Sequence, residues 1–156
     1  MAEIDLLIQQ IKIWKNSSKT IIFTNGCFDL LHRGHIDLLQ KASQFGDYLI
    51  VGLNSDRSVN NLKGEGRPIE SETKRTKNLM KLESVSHVII FDEETPLKLI
   101  QAIRPHILVK GGDYSLDDIV GSADVISRGG SVKIISLTPG YSTTQKVNEL
   151  KREGLG

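Results

Sequence analysis

A chain of 156 residues suits one domain, large enough to bury about 68–70% of the surface its unfolded form exposes. Twenty basic and 19 acidic residues leave a formal charge of +1, and only 5% of residues are aromatic. That balance excludes a polyanion-wrapping surface and a row of base-stacking platforms, so no nucleic-acid partner is expected. The single cysteine, Cys27, excludes an intrachain disulfide framework and suits a reducing compartment.

The chain starts with Ile4, Leu7, Ile8 and Ile11 at helical spacing, and Glu3 and Asp5 interrupt any signal-like apolar run, so Met1–Lys15 reads as a docked amphipathic helix. No stretch nears the roughly 18 apolar residues of a membrane span, so a cytoplasmic protein without a membrane partner is expected. Apolar runs at Thr20–Thr24, Tyr48–Leu53, His87–Phe91, His106–Val109 and Val132–Leu137 read as five strands. Between them, Gly34–Phe45, Glu70–Leu82, Thr95–Ile103 and Asp117–Ser127 have helical periodicity. Thr95 followed by Pro96 supplies a cap and a first turn, and Arg104-Pro105 stops that helix. Alternation of this kind, with strands apolar on both faces, predicts a Rossmann-like three-layer α/β fold around a five-stranded parallel sheet, as a single domain over residues 1–156. The one long irregular stretch, Asn61–Pro68, is the candidate for a mobile lid.

The informative segment follows the first strand: Asn25, Gly26, Cys27, Phe28 and Asp29, then Leu30-Leu31, then His32-Arg33-Gly34-His35 leading into a helix. Gly26 permits close backbone approach. Two imidazoles flank Gly34 where the free N–H groups and positive end of a helix already favour an anion. A capping or buried-histidine role is the plainer reading of such a pair. The order strand, glycine turn, paired histidines, helix favours a phosphate site.

Gly26-Cys27-Phe28-Asp29 with His32-Arg33-Gly34-His35 resembles the signature of the HxGH nucleotidyltransferase superfamily. Further segments fall in that family's order: Val51–Asp56, Leu62–Gly64, Arg67–Ile69, Val109–Tyr114 and Pro139–Thr144. The resemblance is nearest to the adenylyltransferase domain of the bifunctional heptose-phosphate kinase/adenylyltransferases. No kinase half is present, so the stand-alone form is expected. The resemblance implies transfer of AMP from ATP to a heptose 1-phosphate, with release of pyrophosphate and Mg²⁺ carried on the substrate. It implies His32, His35 and Lys63 as catalytic groups. Gly26, Cys27, Phe28, His32, His35, Arg75, Lys110, Gly111, Gly112, Asp113, Ser142, Thr143 and Thr144 would bind the nucleotide, and Asn25, Asp29 and Lys63 the sugar phosphate, with tying the turn together as the alternative role for Asp29. Cys27 fills a small-residue place in the motif and has no chemical role. Protein ligands for a metal are not assigned, and a homodimer, using the face near the first helix, is implied by family alone. Lys110–Tyr114 and Arg67–Ile69 favour the adenylyl reading over a CTP-dependent glycerol- or ethanolamine-phosphate enzyme, and Leu137 stands roughly where glycerol-type cytidylyltransferases carry an arginine. A non-catalytic nucleotide-binding module is the remaining alternative.

Overall fold

The computed structural model describes residues 3–112 and 114–136. Five strands, β1 (Ile21–Gly26), β2 (Tyr48–Asn54), β3 (His87–Phe91), β4 (Ile107–Gly111) and β5 (Ser131–Ile135), form one sheet in the order β3-β2-β1-β4-β5. Every neighbouring pair is parallel. The helices are α1 (Glu3–Asn16), α2 (Arg33–Ser43), α3 (Asp56–Lys63), α4 (Glu72–Met80), α5 (Leu97–Ile103) and α6 (Ser122–Ser127).

The three layers follow from the period-2 alternation of the strands. Ile21 and Phe23 of β1 join Ile50 and Leu108 on the face covered by Leu7 and Ile11 of α1 and by Leu99, Ile100 and Ile103 of α5. Ile22 joins Leu49, Val51 and Val109 on the opposite face, under Leu38, Leu39 and Ala42 of α2 and Leu79 of α4. Trp14 of α1 stacks on Tyr48 at 4.0 Å and so pins the first helix to the sheet. Gly52 in mid-β2 is required by packing, since a Cβ there would lie 2.7 Å from Phe23 Cζ and 3.2 Å from Leu99 Cδ2. Gly52→Ala should therefore lose about 1–3 kcal/mol by overpacking, read as a lower urea midpoint at unchanged slope.

Several boundaries differ from the sequence expectation. β1 runs two residues further and takes Asn25 and Gly26 into the sheet. The fourth expected helix starts at Leu97 rather than Thr95, with Pro96 at the N-cap and no side-chain cap. Arg104 ends it in the left-handed conformation, at φ 53° and ψ 60°. The expected helix over 117–127 is a 3-10 turn, Leu116–Asp118, and then α6, separated by Gly121 at φ +87°. α3 is an extra helix, begun by Ser55, whose hydroxyl accepts the Ser58 N–H. The candidate lid is thereby shortened, because Asn61–Lys63 belong to α3 and only the following residues through Pro68 are irregular.

Candidate active site

Strand order reverses between β1 and β4, where open α/β sheets hold their ligands. The β1–β4 ladder contains only Ile22↔Ile107 and Phe23↔Leu108, yet β1 continues to Gly26 and β4 to Gly111. On their outer sides both strands stay paired, through Gly26↔Leu53 and Gly111↔Ile135. The two strands thus part at their carboxyl ends. One buried side-chain bond bridges the parting, from Thr24 Oγ1 to the Val109 carbonyl at 2.9 Å. Asn25 and Gly26 form one lip of this crevice, and Lys110 and Gly111 the other.

Beyond β1 the chain makes a tight turn with Phe28 at φ 48° and Leu30 at φ 54°. Left-handed non-glycine residues cost on the order of 1–3 kcal/mol each and persist where the surroundings overdetermine them. Those surroundings are visible. The Asp29 carboxylate is wholly buried and accepts from Ile69 N–H (2.7 Å), Glu70 N–H (2.9 Å) and Arg67 Nε (3.1 Å). Glu70 Oε1 in turn accepts the Leu30 N–H at 3.1 Å. The segment after α3 therefore clasps the turn after β1. Phe28 also explains Gly26, because a Cβ at Gly26 would lie 2.9 Å from the Phe28 ring. The close approach that this glycine permits is to Phe28, whose ring stands edge-on to His35 at 5.3 Å.

His32 is the N-cap of α2 and His35 its third residue, and together they form a capping box built from imidazoles. His32 Nδ1 accepts the Gly34 N–H at 3.1 Å, and His35 Nδ1 accepts the His32 N–H at 3.3 Å. The rings stack at 3.8 Å with 19° between their planes. With each Nδ1 serving as acceptor, the hydrogen-bond network assigns the proton of each neutral ring to Nε2. Capping and chemistry are thus not rival roles here: one nitrogen of each ring orders the helix start, and the other is a preset N–H donor.

The charge around the turn is of both signs, Lys63, Arg67 and Arg75 against Asp29, Asp56 and Glu70. Burial pushes the Cys27 thiol above its ordinary pKa, reinforced by Asp29 and opposed by Lys63, Arg75 and Arg67, which disfavours the thiolate that a nucleophile needs. Burial also holds Lys110 below the usual lysine pKa, and its ammonium lies over the Tyr114 ring, 5.1 Å from the centroid. Lys63 is exposed at the last position of α3. Among the described residues no group of three His, Cys, Asp or Glu side chains is placed to hold a metal ion.

The structure places Asn25 and Gly26 at the end of β1, Cys27, Phe28, His32 and His35 just beyond it, and Lys110, Gly111 and Gly112 across the crevice. Gly112, at φ +113°, donates its N–H to Ile135. Two expectations need correction. Arg75 does not offer its guanidinium to a nucleotide phosphate: it is fully buried, and donates to Glu70 O (3.0 Å), Cys27 O (2.8 Å), Asn54 O (2.7 Å) and Asp56 Oδ1 (2.8 Å). Asp29 likewise has both oxygens engaged within the protein, so each acts by holding the loops beyond β1 and β2 in place. Arg67 is 13% exposed and salt-bridged to Asp29, and only the mutual spacing of Asp29 and Arg67 in three dimensions reveals it. Asp113, Ser142, Thr143 and Thr144 lie outside the described residues.

A parallel sheet parted at its switch point, a glycine turn and a histidine-capped helix define a nucleotidyltransferase-type α/β domain. The chain belongs to the cytidylyltransferase-like family, whose model matches residues 23–148. It is 50% identical over 143 residues to the bifunctional protein HldE of Koribacter versatilis, covering 92% of this chain and 29% of that one. To the HldE protein of Nitrobacter hamburgensis it is 51% identical over 150 residues, covering 96% and 30%. The chain therefore spans less than a third of the length of these relatives. A crystal structure of the lipopolysaccharide core biosynthesis protein from Thermoplasma volcanium superposes with a TM-score of 0.63 at 28% identity, over 77% of this chain and 97% of that one. No helix among the described residues is long and apolar enough to cross a membrane.

Proposed function

We propose that residues 1–156 form one nucleotidyltransferase domain that moves AMP from ATP to D-glycero-D-manno-heptose 1-phosphate, giving ADP-heptose and pyrophosphate. The observation that carries this reading is the imidazole capping box of His32 and His35, with two Nε2–H donors at the start of α2. The HldE relatives, at about half identity, and the Thermoplasma lipopolysaccharide protein support the acceptor class.

In the proposed reaction an oxygen of the acceptor phosphate attacks the α-phosphorus of ATP. The bond from that phosphorus to the bridging oxygen breaks, and its electron pair leaves with pyrophosphate. No proton is transferred, which suits rings whose protons are fixed. Charge that develops on the α-phosphoryl oxygens and on the leaving group meets the two Nε2–H donors, whose gain is greater in the transition state than in the ground state. Lys63 and Lys110 add positive charge on either side. Asn25 and Lys63 are assigned to the sugar phosphate, Gly111, Gly112 and Asp113 to the nucleoside, and Ser142, Thr143 and Thr144 to the nucleotide phosphates. Mg²⁺ arrives on ATP and is held by substrate oxygens and water. Cytoplasmic residence and a homodimer belong to this proposal, and Leu6 and Ile13, exposed on α1, offer apolar surface near the face expected for pairing.

A CTP-dependent enzyme acting on glycerol or ethanolamine phosphate is the alternative within the family. Binding only to the folded state raises stability by mass action, so ATP with Mg²⁺ should raise the melting temperature while CTP does markedly less. Pyrophosphate release should follow with heptose 1-phosphate and not with glycerol 3-phosphate. Equal shifts with both nucleotides would remove the adenine assignment, and binding without pyrophosphate release over any acceptor would leave a nucleotide-binding module.

A further inference from the structure

A second basic site lies at the opposite end of the sheet. Lys15 at the end of α1, Arg104 after α5, His106 just before β4, and Arg128, Gly129 and Gly130 between α6 and β5 line a cavity of about 240 Å³, along with Pro105. Among the described residues no acidic side chain lines it. Lys15 Nζ donates to the carbonyls of Arg104 (2.7 Å) and Ile103 (3.4 Å), which holds it in the cavity wall. His106 Nδ1 accepts the Ile21 N–H at 2.9 Å, so its neutral ring presents Nε2–H as a donor. Burial, then Arg104 and Arg128, lower the Lys15 pKa, and burial and Lys15 lower that of His106.

A plainer account is that these cations complement the carboxyl ends of α5 and α6. Charge counting does not support it as the whole story. Each helix end is equivalent to at most about half a negative charge, and both helices are short, at seven and six residues. Asp124 offsets one cation by pairing with Arg128 at 2.7 Å. Three cations therefore leave a positive surplus, and Arg104 and Arg128 disfavour the charge on Lys15. Arg104 also occupies a left-handed conformation in which glycine would be unstrained.

We infer that the Lys15–Arg104–Arg128 cavity is a binding site for a small phosphate-type oxyanion such as inorganic phosphate or pyrophosphate, separate from the crevice between β1 and β4. An oxyanion there relieves the like-charge crowding and accepts from guanidinium, ammonium and imidazole donors together. The inference does not depend on the catalytic reading.

The test is a titration of the ¹⁵N-labelled chain with inorganic phosphate, then pyrophosphate, at constant ionic strength, with chloride as control. Amides of Arg104, His106, Gly129 and Gly130 should shift saturably, independently of those from Gly26 to Gly34. Arg104→Gly removes one charge and the strain together. It should melt higher than the parent, yet bind phosphate at this cavity about tenfold more weakly or worse, the usual effect of losing one charge-assisted bond. Lys15→Gln should weaken binding in the same direction. Shifts confined to the β1 turn, an equal response to chloride, or unchanged affinity in both variants would each overturn the site.

Discussion

His32→Ala and His35→Ala should each lower turnover at least about a hundredfold at saturating substrates, the usual cost of removing one donor aimed at developing charge. Because both rings also cap α2, each variant should lose about 1 kcal/mol of stability as well, seen as a melting temperature lower by about 2–4 °C. Amide replacements separate the two roles. Asn at position 32 places an oxygen near the Nδ1 position and should restore the cap without restoring turnover. Gln at position 35 is an ordinary capping-box residue and should keep the fold while recovering part of the lost rate, if hydrogen bonding is the main contribution. The rings stack on one another and would serve one phosphoryl group, so the double variant should lose less than the product of the single losses. Near-normal turnover in both alanine variants would refute the assignment of this site.

Arg75→Met should have the largest effect on stability. It deletes four hydrogen bonds and leaves the carbonyls of Cys27, Asn54 and Glu70 without a donor. Removing one partner from a buried charged network costs about 3–5 kcal/mol, which for this length lowers the melting temperature by on the order of 10 °C. Lys at this position should rescue little, because an ammonium cannot replace the planar fork that reaches the loops beyond β1 and β2 and the segment before α4 at once. A phosphate-binding arginine would behave differently: the variant would melt normally and show a raised KM for ATP. A parent-like melting temperature in Arg75→Met would return the residue to the nucleotide site.

What the sequence made legible was whatever local chemistry marks strongly. Five strands were readable because apolar runs such as Ile21–Phe23 and Leu49–Val51 are buried on both faces, and the turn after β1 because glycine and paired histidines stand out. α3 was missed because it is mostly polar, buries only Ser58 and Val59, and announces itself only through the Ser55 cap. Gly121 was readable as a breaker within residues 117–127, and periodicity alone obscured it. The roles of Arg75 and Arg67 were not legible, and that of Asp29 only as one of two alternatives, since a charged residue looks the same in sequence whether it faces solvent, a ligand or the carbonyls of a distant loop. Only the folded chain brings Asp29 against Arg67 and Arg75 against Cys27 and Asn54.

The parting of β1 from β4 bears on how such a domain can diverge. Past Phe23 and Leu108 the facing edges of the two strands have no ladder partners on that side, and the gap is lined by peptide N–H and C=O groups of residues that are still held firmly by their outer neighbours. These polar groups belong to the backbone, so no substitution can delete the carbonyls and only proline can delete an N–H. Side chains on either lip are free to drift and retune which base or acceptor is preferred, while the main-chain frame that a flat ligand would meet is inherited unchanged.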